Sequence, residues 1–102
     1  MIRHTVQLRF TQGTEDATIT AIAESLRTLP SLIPEIRAYA VERDLSLAAD
    51  NAHLVIQGDF EDVAGYETYR DHPEHRAIIE SQILPALDAR MATQIERTRP
   101  EH

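Results

Sequence analysis

The first ten residues alternate between apolar and polar positions. The side that carries the apolar residues comprises Ile2, His4, Val6, Leu8 and Phe10. The other side comprises Arg3, Thr5, Gln7 and Arg9. A period of two residues is typical of a strand with one buried face. The pattern therefore predicts a strand over 2–10 and places His4 among the residues of its buried face.

Helical spacing replaces this alternation after Gly13. Apolar residues then recur three or four positions apart, at Ile19, Ile22, Ala23, Leu26 and Leu29. Thr14 is a candidate N-cap, acidic residues occupy the first turn, and Pro30 is a candidate stop. We therefore expect an amphipathic helix between these two residues.

Three more strands are predicted, over 36–43, 53–60 and 89–97, with a loop at 44–51 between the first two. In the segment 53–60, one face carries Leu54, Ile56 and Phe60, and the opposite face carries His53, Val55, Gln57 and Asp59. A bulge at Gly58 could reverse this assignment, so the face occupied by His53 stays open.

Two helical segments precede the last strand. Asp62 can cap a helix that carries Val63, Tyr66 and Tyr69. Pro73 suits the first position of the next helix and His72 its N-cap. The second segment has an inward stripe formed by His75, Ile78, Ile79 and Ile83.

The order of these elements predicts an α+β fold. A βαββαβ chain forms a four-stranded antiparallel sheet with its helices on one face, and we expect residues 1–102 to form one such domain. The uncovered face requires a partner, which favours a homodimer. On that face we expect Arg9 to pair with an acid, because an unpaired buried charge is costly, and Asp59 is the candidate.

Composition removes several classes of function. The chain has no cysteine, and all ten basic residues are arginine, so thiolate and lysine Schiff-base chemistry are excluded. The net charge is −7 and the arginines are scattered, which argues against nucleic acid and anionic membrane as partners. The alternating start lacks the apolar run of a signal peptide or a membrane span, and we expect a cytoplasmic protein.

The segment YRDHPEHRAII gathers Tyr69, His72 and His75 around one helix break. A buried histidine can simply donate to a carbonyl, or it can act as a base near neutral pH. Tyr69 is a core residue or a donor to a substrate carbonyl, and His4 bonds to a helix, bonds to Tyr69 or contacts substrate. His72 and His75 have metal-ligand spacing but no third ligand, so we expect no metal.

Four stretches of the chain resemble the stress-responsive dimeric A/B barrel (Dabb) family: MIRHTVQLRF, LRTLPSLIPEIRAYAVERDLS, GDFEDVAGYETYRDHPEH and LPALDAR. The resemblance implies a ferredoxin-like domain that pairs into a dimeric α/β-barrel. Its enzymatic members include polyketide cyclases of the olivetolic acid cyclase type. Their pattern implies Tyr69 and His75 as catalytic residues, with His4 in the same pocket. We expect the substrate-binding set to comprise His4, Val6, Leu8, Tyr66 and Ile79. Their third-strand pocket histidine corresponds to Leu54 here.

Our leading hypothesis is therefore a small dimeric enzyme that acts on a carbonyl-rich, polyketide-like molecule. His75 would remove an α-proton, Tyr69 would hold the carbonyl oxygen, and His4 would orient both, without a cofactor. An open cavity of several hundred Å³ beneath the helix break would support it. The alternatives are a non-enzymatic stress-responsive dimer or small-ligand binder, and a cofactor-free oxygenase or haem-binding relative.

Overall fold

The computed structural model describes residues 1–98, in which four strands form one antiparallel sheet. The strands are β1 (Ile2–Phe10), β2 (Ile36–Arg43), β3 (Leu54–Phe60) and β4 (Leu87–Glu96). They are ordered β2-β3-β1-β4, so β1 and β3 are central and β4 is an edge strand. This order and the βαββαβ connectivity confirm the predicted α+β, ferredoxin-like fold.

The helices cover one face of the sheet. They are α1 (Asp16–Arg27), α2 (Leu29–Leu32), α3 (Val63–Asp71) and α4 (Pro73–Ile78), followed by a π-helical turn at Ile79–Ile83 and a 3-10 turn at Leu84–Ala86. The core lies between this layer and the sheet. The sheet contributes Val6, Leu8, Leu54, Ile56 and Phe60, and the helices contribute Ile19, Ile22, Leu26, Tyr69 and Ile78.

Two predicted ends of the first helix are wrong. Glu15 rather than Thr14 is the N-cap, and the hydroxyl of Thr14 instead lies 3.1 Å from that of Thr11. At the other end α1 stops at Arg27, where the Thr28 hydroxyl donates to the carbonyl of Ser25 at 2.7 Å. Pro30 therefore does not stop α1. It lies near the start of α2, a position where proline is tolerated because its missing N–H has no partner to lose.

Gly58 carries no bulge. The β1–β3 pairing runs without a register shift, and the irregularity in β2 falls between Ile36 and Ala38. A Cβ at Gly58 would lie 3.1 Å from Cε2 of Phe60 and 3.3 Å from Cδ1 of Tyr39. The glycine thus leaves room for two aromatic rings, and the side-chain parity predicted for β3 is retained.

The outer face of the sheet, opposite the helices, carries a network of three charges. Asp59 accepts from Nε and Nη2 of Arg3 at 2.9 and 3.1 Å, and from Nη1 of Arg97 at 3.0 Å. The hydrogen bond from Arg3 is the main cause of the lowered pKa of Asp59.

The expected pairing of Arg9 with Asp59 is wrong. Arg9 lies 3.5 Å from Asp88, whereas Arg3 is directly opposite Asp59 in the strand register. Arg9 is six residues further along β1, about 20 Å away in an extended strand. Arg9 thus pairs with an acid as expected, but the acid is Asp88 rather than the candidate Asp59.

Candidate functional site

A cavity of about 220 Å³ lies between the inner face of the sheet and the helical segment after the break. All seven residues predicted for the site line it: His4, Val6, Leu8, Tyr66, Tyr69, His75 and Ile79. Sequence reasoning missed several others, among them Arg70, Arg76, Ile83, Leu84 and Arg90.

The break between α3 and α4 brings Tyr69 and His75 together. His72 ends α3 and caps α4, and its Nδ1 accepts from the amide of Glu74 at 3.1 Å. Pro73 is the first residue of α4. In a continuous helix, six residues would separate the two side chains by about 9 Å of rise. Here their rings stack, with centroids 4.1 Å apart and planes at 29°.

One of the two ring nitrogens of His75 is engaged in a hydrogen bond with the backbone. Its Nδ1 lies 3.0 Å from the carbonyl oxygen of Arg70. A carbonyl can only accept, so Nδ1 carries the proton and Nε2 keeps a lone pair. Burial lowers the pKa of His75, and the charge of Arg76 adds to that effect, while the bond to the Arg70 carbonyl opposes it. At neutral pH His75 is therefore a proton acceptor through Nε2.

In His4 the donor and acceptor nitrogens are exchanged relative to those of His75. Its Nδ1 lies 2.8 Å from the side-chain amide nitrogen of Gln94, which lies opposite it on β4. An amide N–H donates, so Nδ1 accepts and the proton of His4 is on Nε2. Burial, with the charges of Arg90 and His75, lowers the pKa of His4 to about 4. The partner is thus neither a helix nor Tyr69, although the ring centroids of His4 and Tyr69 are 6.0 Å apart.

Tyr69 is held deep in the cavity wall rather than at the mouth. Its side chain is 2% exposed, and its hydroxyl lies 2.8 Å from that of Tyr39 on β2. Burial raises the pKa of Tyr69 to about 12 and also raises the pKa of Tyr39. Both hydroxyls are therefore protonated at neutral pH. When Tyr39 donates to the oxygen of Tyr69, the proton of Tyr69 is available to another acceptor.

Comparison with known proteins decides the family. The chain matches the family described as "Stress responsive A/B Barrel Domain" (Dabb) over residues 2–96. It belongs to the Dabb family. No match was found among curated proteins.

Solved structures agree with this assignment. A dimeric ferredoxin-like protein of unknown function from Thermobifida fusca YX is 35% identical, with a TM-score of 0.83 over 92% of this chain and 88% of that one. A Dabb family protein from Mesorhizobium loti MAFF303099 is 22% identical, with a TM-score of 0.79 over 96% and 97%. A hydroxynitrile lyase from Passiflora edulis is 21% identical, with a TM-score of 0.80 over 97% and 96%. The last two similarities establish the fold alone.

His53 lies outside the cavity of this Dabb domain. Its Nδ1 accepts from the amide of Phe10 at 3.0 Å, and its ring stacks on the Phe10 ring at 5.8 Å. It therefore fastens the end of β3 to β1. Within residues 1–98, no three side chains of His, Asp or Glu are grouped as metal ligands. No helix in the same range is long and apolar enough to cross a membrane.

The residues that the sequence did not reveal are placed by strand pairing. Tyr39 could have been noticed, because it alternates with Val41 on the inner side of β2. Gln94 and Arg90 carry no local signal. They reach the site because β4 pairs with β1, which sets Gln94 opposite His4 and Arg90 opposite Leu8.

Proposed function

We propose that this Dabb protein is a cofactor-independent acid–base enzyme that acts on a small carbonyl compound, with an aldol-type ring closure of a short polyketide-like substrate as its reaction. The observation that carries the proposal is the stacked pair of Tyr69 and His75 in one cavity. It sets a neutral hydroxyl donor beside a neutral imidazole acceptor. These are the two groups that enolisation requires.

The chemistry follows from these two groups. The substrate carbonyl oxygen accepts from the hydroxyl of Tyr69, which Tyr39 supports from behind. Nε2 of His75 takes the α-proton, and the electron pair of that C–H bond moves into the enolate. The α-carbon then attacks a second carbonyl of the same molecule, forming the ring bond, and the new alkoxide regains the proton from His75. In this proposal the Nε2–H of His4 donates to one of these oxygens.

The environment of His75 restricts the substrate. Burial and the nearby Arg76 disfavour its protonated form, so His75 is a weak base. A weak base needs an acidic α-hydrogen, as found between two carbonyl groups. The proposed substrate is therefore a β-dicarbonyl compound rather than a simple ketone.

The size of the cavity restricts it further. The volume of the cavity is about 220 Å³. Pockets for drug-sized ligands start at about 300 Å³. The cavity is thus smaller than the several hundred Å³ that would have supported the hypothesis, and its size favours a short substrate.

A second candidate function is binding of a small ligand without turnover. Within residues 1–98, no buried side-chain nitrogen or oxygen lacks a hydrogen-bond partner. The hydroxyl of Tyr69 and Nδ1 of His75 already have partners in Tyr39 and in the carbonyl of Arg70, as they would in residues with a purely structural role. The presence of the fold in a hydroxynitrile lyase supports an enzyme only by analogy.

Hydrogen–deuterium exchange separates these two candidates. Short β-keto esters and β-diketones would be incubated in D2O with the protein, and α-deuteration above the buffer rate would be followed by NMR. Tyr69→Phe removes the donor but keeps the ring, and His75→Gln removes the base but keeps polarity. Each change should lower the catalysed rate by about 100-fold or more.

Glu74→Gln is the matched control, because Glu74 lies between the two residues in the chain but does not line the cavity. It should exchange at the parental rate. If folded Tyr69→Phe and His75→Gln proteins both match the parental protein, the proposal is wrong. Binding of these compounds with no exchange above buffer would favour the ligand-binding candidate instead.

A further inference from the structure

The cavity has a charge opposite to that of the molecule. The chain has 17 acidic and 10 basic residues and a net charge of −7. Yet the described residues that line the cavity include Arg70, Arg76 and Arg90, and none of them is Asp or Glu. A concave site with one sign of charge attracts ligands of the opposite sign.

Two of the three arginines already have partners. Arg70 donates to both carboxylate oxygens of Asp71 at 2.9 Å and also lies 3.7 Å from Glu67. Arg76 donates to Glu80 at 3.0 Å. These exposed pairs balance the charge of both guanidinium groups. Neither Arg70 nor Arg76 is therefore free to serve as the main anion site.

Arg90 is different. Within residues 1–98 it has no ion pair and no side-chain hydrogen bond. It lies opposite Leu8 in the β1–β4 register, so it shares the inner face of the sheet with His4. It lines the cavity and is also exposed to solvent, which places it where the cavity opens.

The charge of Arg90 reaches the groups proposed for catalysis. Burial is the main cause of the shifted pKa values of His4, His75 and Tyr69. The charge of Arg90 contributes to all three by lowering each pKa. Arg90 therefore lies within electrostatic range of both imidazoles and of the phenol.

We propose that Arg90 anchors a carboxylate, so that the ligands of this cavity are small carbonyl compounds bearing a carboxylate group. The guanidinium fork binds the carboxylate at the opening, and the carbonyl end of the molecule extends over the apolar wall toward Tyr69 and His75. The assignment of the reacting end rests on the proposed function. The carboxylate site does not, because it requires binding only.

Benzoate and benzamide are suitable probes. They have the same shape and number of heavy atoms, only benzoate is charged, and neither has an α-hydrogen that could react. Binding would be followed by NMR titration of the Ile56 and Ile83 methyl groups, both of which belong to lining residues. The parental protein should bind benzoate about 10-fold or more tightly than benzamide, because a hydrogen bond to a charged group outweighs a neutral one.

Variants test whether Arg90 is the residue responsible for the preference for benzoate. Arg90→Met should bind the two probes equally, whereas Arg90→Lys should keep part of the preference for benzoate. Arg37→Met is the matched control, because it removes the same charge from an exposed residue that does not line the cavity. It should bind like the parental protein.

Three results would overturn the inference: equal binding of both probes by the parental protein, no binding of benzoate at millimolar concentration, or an unchanged preference in Arg90→Met. Failure of the proposed reaction would give a different result. In that case α-deuteration would be absent while the preference for benzoate persisted. His75→Gln should keep this preference even though it loses exchange activity.

Discussion

His4 and His75 present opposite hydrogen-bonding atoms to one cavity. Gln94 donates to Nδ1 of His4, and Nδ1 of His75 donates to the carbonyl of Arg70. Nε2 is consequently a donor on His4 and an acceptor on His75. Protonation would turn both nitrogens of each ring into hydrogen-bond donors. It would also place a positive charge on each ring in a buried site. The arrangement therefore depends on both residues being neutral.

Acid should destabilise the fold through His4. In the folded chain its pKa is about 4, against an ordinary value of 6.5, so the unfolded chain binds the proton first. Stability is full above pH 6.5 and is lost as the pH falls toward 4. Urea denaturation at a series of pH values should show this decline, and His4→Gln should make it shallower over the same window.

The loss of the Gln94 contact would lower the stability of the His4→Gln protein at every pH, so the slope rather than the absolute stability is diagnostic. Carboxylates that titrate at the acid end are present in both proteins and cancel in the comparison. An equally steep decline in His4→Gln and parental protein would mean that His4 is not the group responsible.

For a single residue, the periodicity of the sequence indicates which face of a strand or helix its side chain occupies. It does not indicate the hydrogen-bond partner of that side chain. The alternation of β1 places His4 inward, and the helical stripe places His75 inward. Neither pattern indicates that Tyr39 bonds to Tyr69 or that Gln94 bonds to His4. Those contacts depend on which residues of distant strands lie opposite each other. The wrong pairing of Arg9 with Asp59 has the same origin.

Between elements, Gly58 determines how the aromatic residues of the sheet pack. It is paired with His4 on one side and with Tyr39 on the other, and it adds no side chain between them. The rings of Tyr39 and Phe60 occupy the space that it leaves. The position of the Tyr39 hydroxyl against Tyr69 thus depends on a residue that does not line the cavity.

Gly58→Ala should disturb this packing. The added Cβ would lie 3.1 Å from the Phe60 ring and 3.3 Å from the Tyr39 ring, closer than ordinary contact. Overpacking of this kind costs about 1–3 kcal/mol, which urea denaturation would measure. Near-ultraviolet circular dichroism should change as well, because the tyrosine rings must move.

Gly65→Ala is the comparison, since its Cβ would meet Asp62 at an ordinary 3.4 Å and alanine favours a helix. It should be at least as stable as the parental protein. Equal stability of the two alanine variants would contradict the role given to Gly58.

Element order and type could be predicted, and some boundaries could not. Asp62, His72 and Pro73 have local chemistry that fixes helix ends, and the structure confirms all three. Pro30 misled because proline is allowed near the start of a helix as well as after its end. The π-helical turn at Ile79–Ile83 widens the spacing of a stripe that otherwise reads as an ordinary helix.

For the whole molecule, the outer face of the sheet is the surface to explain. It bears the paired charges of Arg3, Asp59 and Arg97, together with Met91 and Ile95, which are 70% and 52% exposed. Each of these three charged groups has a partner within the same chain, so their pairing does not require a second copy. The two apolar side chains on β4 are the part of this face that a partner would cover.

We predict a homodimer whose sheets face each other, in agreement with the dimeric relative from Thermobifida fusca. Light scattering at micromolar concentration should give twice the 11.5 kDa mass of the chain. Ile95→Glu should shift the protein toward monomer, because it buries an unpaired charge in the interface. A parental protein that scatters as a single chain would contradict the prediction.

Val63→Glu is the control for this experiment. Val63 is exposed on α3, on the helical side of the sheet, and its replacement adds the same charge without touching the outer face. It should remain dimeric. Dissociation of both variants would mean that charge in general, rather than the outer face, governs assembly.

The cavity and the outer face lie on opposite sides of the same sheet. If two chains pack sheet against sheet, with about 10 Å between the layers, the two cavities come to lie on the far exteriors of the assembly. Each cavity then opens to solvent on its own side of the dimer, and the two sheets lie between the two cavities. We therefore expect ligand binding in one cavity to leave the affinity of the other unchanged, and the binding curve of the dimer to be hyperbolic.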